Sequence, residues 1–280
     1  MSDTDTRYAR HISVGDTNDG GISLWLPKIG NRTMETVNQS LADGFQKVTA
    51  REVLPEVSPL APPDALPATC ACGTVSFHIT RPNEESYIPH SGYPDLQYAA
   101  CSHSSEFMAN PNRDKWWIRA NGTKYLAGTC ACRSCRLISG FEIQTWTFVP
   151  RSNIFFHVAA SNGEQTITPL DFGTLPSGIL QTYESSPGVH REFCGTCGAT
   201  VFWHDKWRPD VIDVSVGLLR AKEGARADTW LDWWTRRCSF EEETTSGRTG
   251  EPARVARELI DGLERGLRSG DKRELNEGNR

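Results

Sequence analysis

Seven of the nine cysteines in this 280-residue chain fall into three tight groups, and no other feature limits its possible folds so sharply. Cys70-Ala-Cys72-Gly73 and Cys194-Gly-Thr-Cys197-Gly198 are separate pairs, whereas Cys130-Ala-Cys132-Arg-Ser-Cys135 gathers three thiols into six residues. The first ten residues are polar and charged. No stretch approaches the roughly 20 apolar residues of a spanning helix, so a soluble cytoplasmic protein with no membrane partner is expected. In that compartment thiols stay reduced, and grouped cysteines indicate metal rather than disulfides.

Two distant pairs complete a four-thiol site, which is closed and structural, and whose metal contributes folding energy. That leaves Cys130, Cys132 and Cys135 as a three-thiol site with an open position. Two zinc ions per chain are therefore expected. Three thiolates and Zn²⁺ sum to about −1, so the open centre is a weak Lewis acid, and its natural fourth ligand is a soft substrate thiolate. The chemistry expected is at sulfur. A net charge of −5 without a basic run excludes a nucleic-acid partner.

The length is ample for a core without disulfides. Residues 1–67 read as an N-terminal extension and a Pro-rich linker. Ile22–Leu26 alternates like a strand or docking segment. Met34, Val37, Leu41, Phe45 and Val48 predict a helix over about 32–52, and 54–68 carries five prolines. Residues 68–240 read as a mainly β zinc domain, with strands over 74–80, 142–149, 154–160, 178–183, 199–204 and 211–216. A long insertion, 82–128, interrupts it, and insertions of this length commonly form lids or pocket walls. Residues 241–280 read as a C-terminal amphipathic helix and tail, with Val255, Leu259, Leu263 and Leu267 at four-residue steps and Pro252 near the start. That helix packs back on the domain in the simplest reading; the oligomeric state is left open, a homodimer included.

With these residues in view, the chain resembles the glutathione-dependent formaldehyde-activating enzyme family, which includes centromere protein V. The resemblance rests on Thr69–Phe77, on Cys130–Arg136 with Ser139-Gly140 and Trp146, on Val149-Pro150, on Tyr183–Ser186, and on Arg191–Gly198 with Phe202. It spans about residues 68–235. It implies a β-tent fold, a structural zinc on Cys70, Cys72, Cys194 and Cys197, and a catalytic zinc on Cys130, Cys132 and Cys135. It also implies an activity that makes or breaks a carbon–sulfur bond with glutathione. The 72–130 connection is much longer than the family's, so its substrate does not carry over directly. The stretch from His11 to Gly21 looks like the end of a preceding repeat in fungal tandem members.

A carbon–sulfur lyase needs a proton carrier. His204 and His190 are the leading candidates, with Glu192 behind them. Arg136 is placed to hold a substrate carboxylate, with Arg133 beside it. Ser139 either donates to a zinc thiolate or caps a loop. Trp146, with Trp116, Trp117, Trp203 and Trp207, either lines an aromatic pocket or simply packs the core. Cys101 and His103 sit in the insertion, where they could close the open site or lie in a lid. Cys238 reads as a buried thiol. The function expected is a zinc lyase acting on a thiol adduct of a small organic molecule from secondary metabolism. The alternatives are zinc Lewis-acid chemistry on a bulky metabolite without glutathione, and a non-catalytic protein-binding module. A methionine-sulfoxide-reductase-like reading lacks an evident unligated catalytic cysteine.

Overall fold

The computed structural model describes residues 7–12, 14–37, 61–159 and 164–277. Its centre is two β-sheets. The smaller holds β1 (Leu66–Thr69), β2 (Ser76–Ile79), β6 (Ile154–Ala159) and β7 (Gln165–Pro169), in the antiparallel order β7-β6-β2-β1. The larger holds β3 (Ile118–Arg119), β4 (Lys124–Cys130), β5 (Gln144–Pro150), β8 (Leu180–Ser186), β9 (Val189–Cys194), β10 (Thr200–Asp205), β11 (Arg208–Ser215) and β12 (Leu231–Trp233). Its order is β8-β9-β10-β11-β5-β4-β12, with β3 also against β4 and only the β4–β12 pair parallel. The chain is therefore mainly β.

Side chains alternate across each strand, and this divides the large sheet into two working faces. One face packs on the small sheet, where Phe77, Phe156 and Phe202 meet in the main core. The other carries Leu126, Gly128 and Cys130 of β4 and Trp146 and Phe148 of β5. The insertion covers part of this second face, as Trp116, Trp117 and Leu96 pack on Leu126, Phe148 and Val211. The insertion is internally braced: Trp117 Nε1 donates to the Ser86 carbonyl at 3.0 Å, and Asn110 Nδ2 to the Ser91 carbonyl at 2.8 Å. Gly128 admits Leu96, because a Cβ there would stand 2.3 Å from Leu96 Cδ2.

Several expectations need correction. β1 begins inside the stretch read as linker and runs past its end. Its Pro67 is tolerated because β1 is an edge strand, where a missing N–H goes unused. Residues 118–119 and 124–128, assigned to the insertion, belong to the large sheet. Ile22–Leu26 is no strand: Gly21–Trp25 forms a 3₁₀ turn, entered through Gly20 in the left-handed region. It does dock, against the C-terminal helix. Residues 32–33 and 35–37, expected to be helical, are short strands, and the rest of that expected helix lies mostly outside the described residues. β9, which carries His190, Arg191 and Glu192, was not read as a strand.

The C-terminal helix forms over Gly250–Glu277, longer than expected. Leu259, Leu263 and Leu267 are buried against Leu26, Ile29 and Met34. Gly262 and Gly266 let the N-terminal backbone approach, since a Cβ at either would collide with the carbonyl of Lys28 or Trp25.

Candidate active site

The first thiol group joins the two sheets. Cys70 and Cys72 lie in the turn between β1 and β2, and Cys194 and Cys197 in the turn after β9. All four Sγ atoms lie within 4.8 Å of one another. Sγ–Sγ separations of 3.4, 3.7 and 3.6 Å for Cys70–Cys72, Cys70–Cys194 and Cys72–Cys194 match the ~3.8 Å of a tetrahedral zinc tetrathiolate. Backbone amides already aim at the sulfurs, Val75 N at Cys70 (3.3 Å) and Thr196 N at Cys194 (3.4 Å). Burial holds the Cys70 thiol up at about 12, so a dication is needed to ionise the set.

The second group sits at the end of β4. Cys130 is the last residue of the strand, and a parallel bridge to Ser239 fixes its backbone. Cys132 caps helix α1 (Arg133–Ser139), its Sγ accepting from Cys135 N at 3.3 Å, and Gly140 at φ 69° ends that helix. The three buried sulfurs lie within 4.8 Å of one another, with no fourth His, Cys, Asp or Glu ligand among the described residues. Hydrogen bonding to Cys132 and Cys135, together with burial, pushes Cys130 far up. Cys132, accepting from both, is pulled down. Left to itself, the trio stabilises one negative charge. A divalent cation is what allows all three to ionise, so the donor set fits zinc. Arg191, 5% exposed, donates from Nη1 to Cys135 Sγ at 3.5 Å and offsets part of that charge.

The three cysteines open onto a cavity of about 550 Å³, within the usual range of small-molecule sites. Its floor is the second face of the large sheet: Trp146 and Phe148 of β5, Asp213 of β11, Trp203 of β10 and Arg191 of β9. Register places Arg191 opposite Trp203, Trp203 opposite Asp213, and Asp213 opposite Phe148, a single row across four strands. The walls are residues 92–96 of the insertion and the segment around Ser239, Phe240 and Glu243, with the exposed Trp207 also lining the cavity. Asp95 ties the walls together. Its Oδ1 accepts from Arg237 Nη2 (3.1 Å), Ser239 Oγ (3.0 Å) and Phe240 N (2.7 Å), and its Oδ2 from Ala100 N (2.9 Å).

The candidate side chains separate cleanly. Trp146 and Trp203 line the cavity, as do the three cysteines. His190, His204 and Glu192 alternate with Arg191 and Trp203 and so lie on the opposite face. His204 Nε2 pairs with Glu192 Oε1 at 3.0 Å, and its ring stacks on Phe172 at 4.0 Å and on His190 at 5.1 Å. The structure does not bring either histidine to the thiols. Arg136 donates to the carbonyls of Ala131, Glu243 and Ser246, bracing the wall from behind. Ser139 Oγ donates to the Cys135 carbonyl at 2.8 Å, a helix-end role. Arg133 N donates to Glu243 Oε2. Cys101 and His103 are exposed, do not line the cavity, and His103 stacks on Phe107 at 5.1 Å. Trp116 and Trp117 pack beside the floor, on the same face of the sheet, and do not line the cavity. Cys238 is fully buried, its thiol raised by burial.

Two polar residues of the site were missed from sequence, Arg191 and Asp213. Burial pushes Asp213 up to about 6, against the pull of Arg208, whose Nη2 donates to Oδ1 at 2.5 Å. The signal was present in Val211-Ile-Asp-Val-Ser-Val216: a lone carboxylate in an apolar strand requires a reason.

Comparison with known proteins agrees with the residues above. The model of the family described as glutathione-dependent formaldehyde-activating enzyme matches residues 117–237. That span includes Cys130, Cys132, Cys135, Cys194 and Cys197, and leaves Cys70 and Cys72 outside. A solved structure of a Rhodobacter sphaeroides protein is similar at 15% identity and a TM-score of 0.31, over 60% of this chain and 98% of that one. No curated protein matches.

Proposed function

We propose that the chain, whose residues 117–237 match the model of the glutathione-dependent formaldehyde-activating enzyme family, is a zinc-dependent lyase. It makes or breaks a carbon–sulfur bond in a thiol adduct of a small organic molecule, with glutathione as the thiol. The observation that carries this reading is the convergence of three buried sulfurs, with no fourth protein ligand among the described residues, on a cavity of about 550 Å³. A zinc ion held by Cys130, Cys132 and Cys135 would supply a coordination position for a thiolate sulfur, without redox chemistry of its own.

The protein's own groups supply the rest. Arg191 keeps a guanidinium against the Cys135 sulfur. Trp146, Phe148 and Trp203 give the adduct's organic half an apolar floor. The insertion and the 239–243 segment wall the cavity on two sides. The aromatic floor also suits the alternative of zinc Lewis-acid chemistry on a bulky metabolite without glutathione.

Zinc per chain, measured with Cys132→Ser and Cys72→Ser, tests the assignment. Two ions in the wild type should fall to one in Cys132→Ser with the fold retained, because Ser can still cap α1. Cys72→Ser should lose the cooperative fold along with its metal. Calorimetric titration with S-hydroxymethylglutathione should give binding in the wild type and none in Cys132→Ser. One zinc in the wild type, or unaltered adduct binding in Cys132→Ser, refutes the reading.

A further inference from the structure

Four carboxylates border the cavity, and only Asp95 has both oxygens committed. Both oxygens of Asp95 accept from protein donors. Asp205 Oδ1 accepts from Trp207 N and Arg208 N. Glu243 accepts from Arg133 N. Asp213 differs. It is buried on the cavity floor whereas Asp205 and Glu243 are only half-buried, its Oδ1 is held by Arg208, and its Oδ2 has no protein partner among the described residues.

Arg208 is fixed in turn. Its guanidinium carbon lies 4.9 Å from the Trp203 ring centre, 5.4 Å from Phe148 and 5.7 Å from Trp116. Trp116 belongs to the insertion, so the chain's longest departure from a bare β domain ends on the arginine that holds Asp213. Arg191 and Asp213 flank Trp203 in one row, two strand spacings or about 10 Å apart at the backbone. The thiols meet Arg191 on one side of Trp203, and Asp213 stands on the other, with Phe148 beyond it. An aromatic ring laid on Trp203 would join a sulfur at the thiol end to an oxygen at the carboxylate end.

We propose that Asp213 is the acid–base residue of the cavity, that Arg208 is its positioning residue, and that the adduct class is a phenolic benzylic thioether. This rests on the lyase reading above. In the cleaving direction the Asp213 carboxylate takes the phenol proton. The O–H pair becomes a C=O bond, the ring electrons shift, and the C–S pair leaves on sulfur as a thiolate, giving a quinone methide. In reverse the thiolate adds to the exocyclic carbon, and protonated Asp213 returns the proton to oxygen. Atoms and electrons balance without an oxidant or a reductant.

The test uses zinc-loaded full-length protein with S-(4-hydroxybenzyl)glutathione, and S-(4-methoxybenzyl)glutathione as the analogue without a transferable proton. The wild type should release glutathione from the phenol only, and bind both. Asp213→Asn should lose about 100-fold or more in kcat/KM and retain two zinc ions and analogue binding; Asp213→Glu should recover part of the rate. The groups facing Asp213 are Arg208 on its own strand, Asp205 on β10 and Arg191 on β9, with Phe148 on the β5 side. The rising limb of the wild-type pH profile should vanish in Asp213→Asn. It should move to higher pH in Arg208→Gln, because the guanidinium favours the carboxylate. An Asp213→Asn rate within threefold of wild type, or an unmoved limb in Arg208→Gln, overturns the proposal. So does wild-type turnover of S-hydroxymethylglutathione without any of the phenol, which leaves the lyase reading standing. Failure on both adducts removes both.

Discussion

Replacing Asp95 with Ala should loosen the wall of the cavity. The carboxylate is 7% exposed and accepts four hydrogen bonds, from Ala100 N, Phe240 N, Ser239 Oγ and Arg237 Nη2. Ser239 can rotate its hydroxyl, and Arg237 keeps Glu242 at 3.2 Å, so those two losses are partly offset. Ala100 is exposed, so its amide can turn to water, whereas the half-buried Phe240 amide has less recourse. Leaving Phe240 N unsatisfied costs about 1–3 kcal/mol, and losing the charge-assisted bond to Arg237 adds about 1.5–3 kcal/mol, giving about 2.5–6 kcal/mol in all. Urea unfolding of the zinc-loaded protein measures the sum. Amide exchange at Ala100 and Phe240 locates it, and both should accelerate well before the strands of the main core. Asp95→Asn keeps one acceptor oxygen and should lose about half as much. A loss under 1 kcal/mol with unaltered exchange would mean that something other than Asp95 holds the insertion to the 237–240 segment.

Other outcomes follow from the same packing. Gly128→Val places a Cβ 2.3 Å from Leu96 Cδ2; it should cost about 1–3 kcal/mol in urea unfolding, and Leu96→Ala should restore part of it. His204→Leu removes one of the two partners of buried Glu192, the other being Thr182 Oγ1 at 2.8 Å. It should destabilise by about 1–3 kcal/mol while changing adduct turnover less than threefold, since it lies on the face away from the thiols. Asp213, raised by burial to about 6 from 3.8, contributes stability that is complete below pH 4 and lost as pH rises through 6. The stability of Asp213→Asn relative to wild type should therefore rise by roughly 3 kcal/mol between those limits in pH-dependent unfolding. A flat difference would place the carboxyl in a wetter setting than its burial indicates.

The thiol groups were legible because cysteine spacing is local and metal-ligand geometry leaves little freedom. The long C-terminal helix was legible because its four-residue stripe persists through Leu259, Leu263 and Leu267. Face assignment was not. His190 and His204 are attractive as residue types, yet His190 lies on the opposite face from Arg191 along the unread strand β9, and His204 on the opposite face from Trp203 along β10, where alternation alone does not say which face meets the thiols. Arg191 acquires its role from Cys135, far away in sequence, and Asp213 from Arg208 and the cavity it faces. Near the N-terminus, Ile22–Leu26 alternates correctly for a strand, yet the left-handed Gly20 and the groove offered by Gly262 and Gly266 turn it into 3₁₀. Alternation is a property of one segment, and docking is a property of two.

The four-thiol junction has a consequence for how such a chain can change. Cys70 and Cys194 are 124 residues apart in sequence and meet at 3.7 Å. A clip of that span fixes the ends of everything between them, including residues 82–117. The entropic penalty for lengthening a loop with fixed ends grows only logarithmically, about 0.6 kcal/mol for each doubling. Behind such a clip, the segment that walls the cavity can grow, shrink or be replaced with little effect on the sheets. The cavity-facing surface is thereby free to drift under selection while the frame joined at the four thiols stays put.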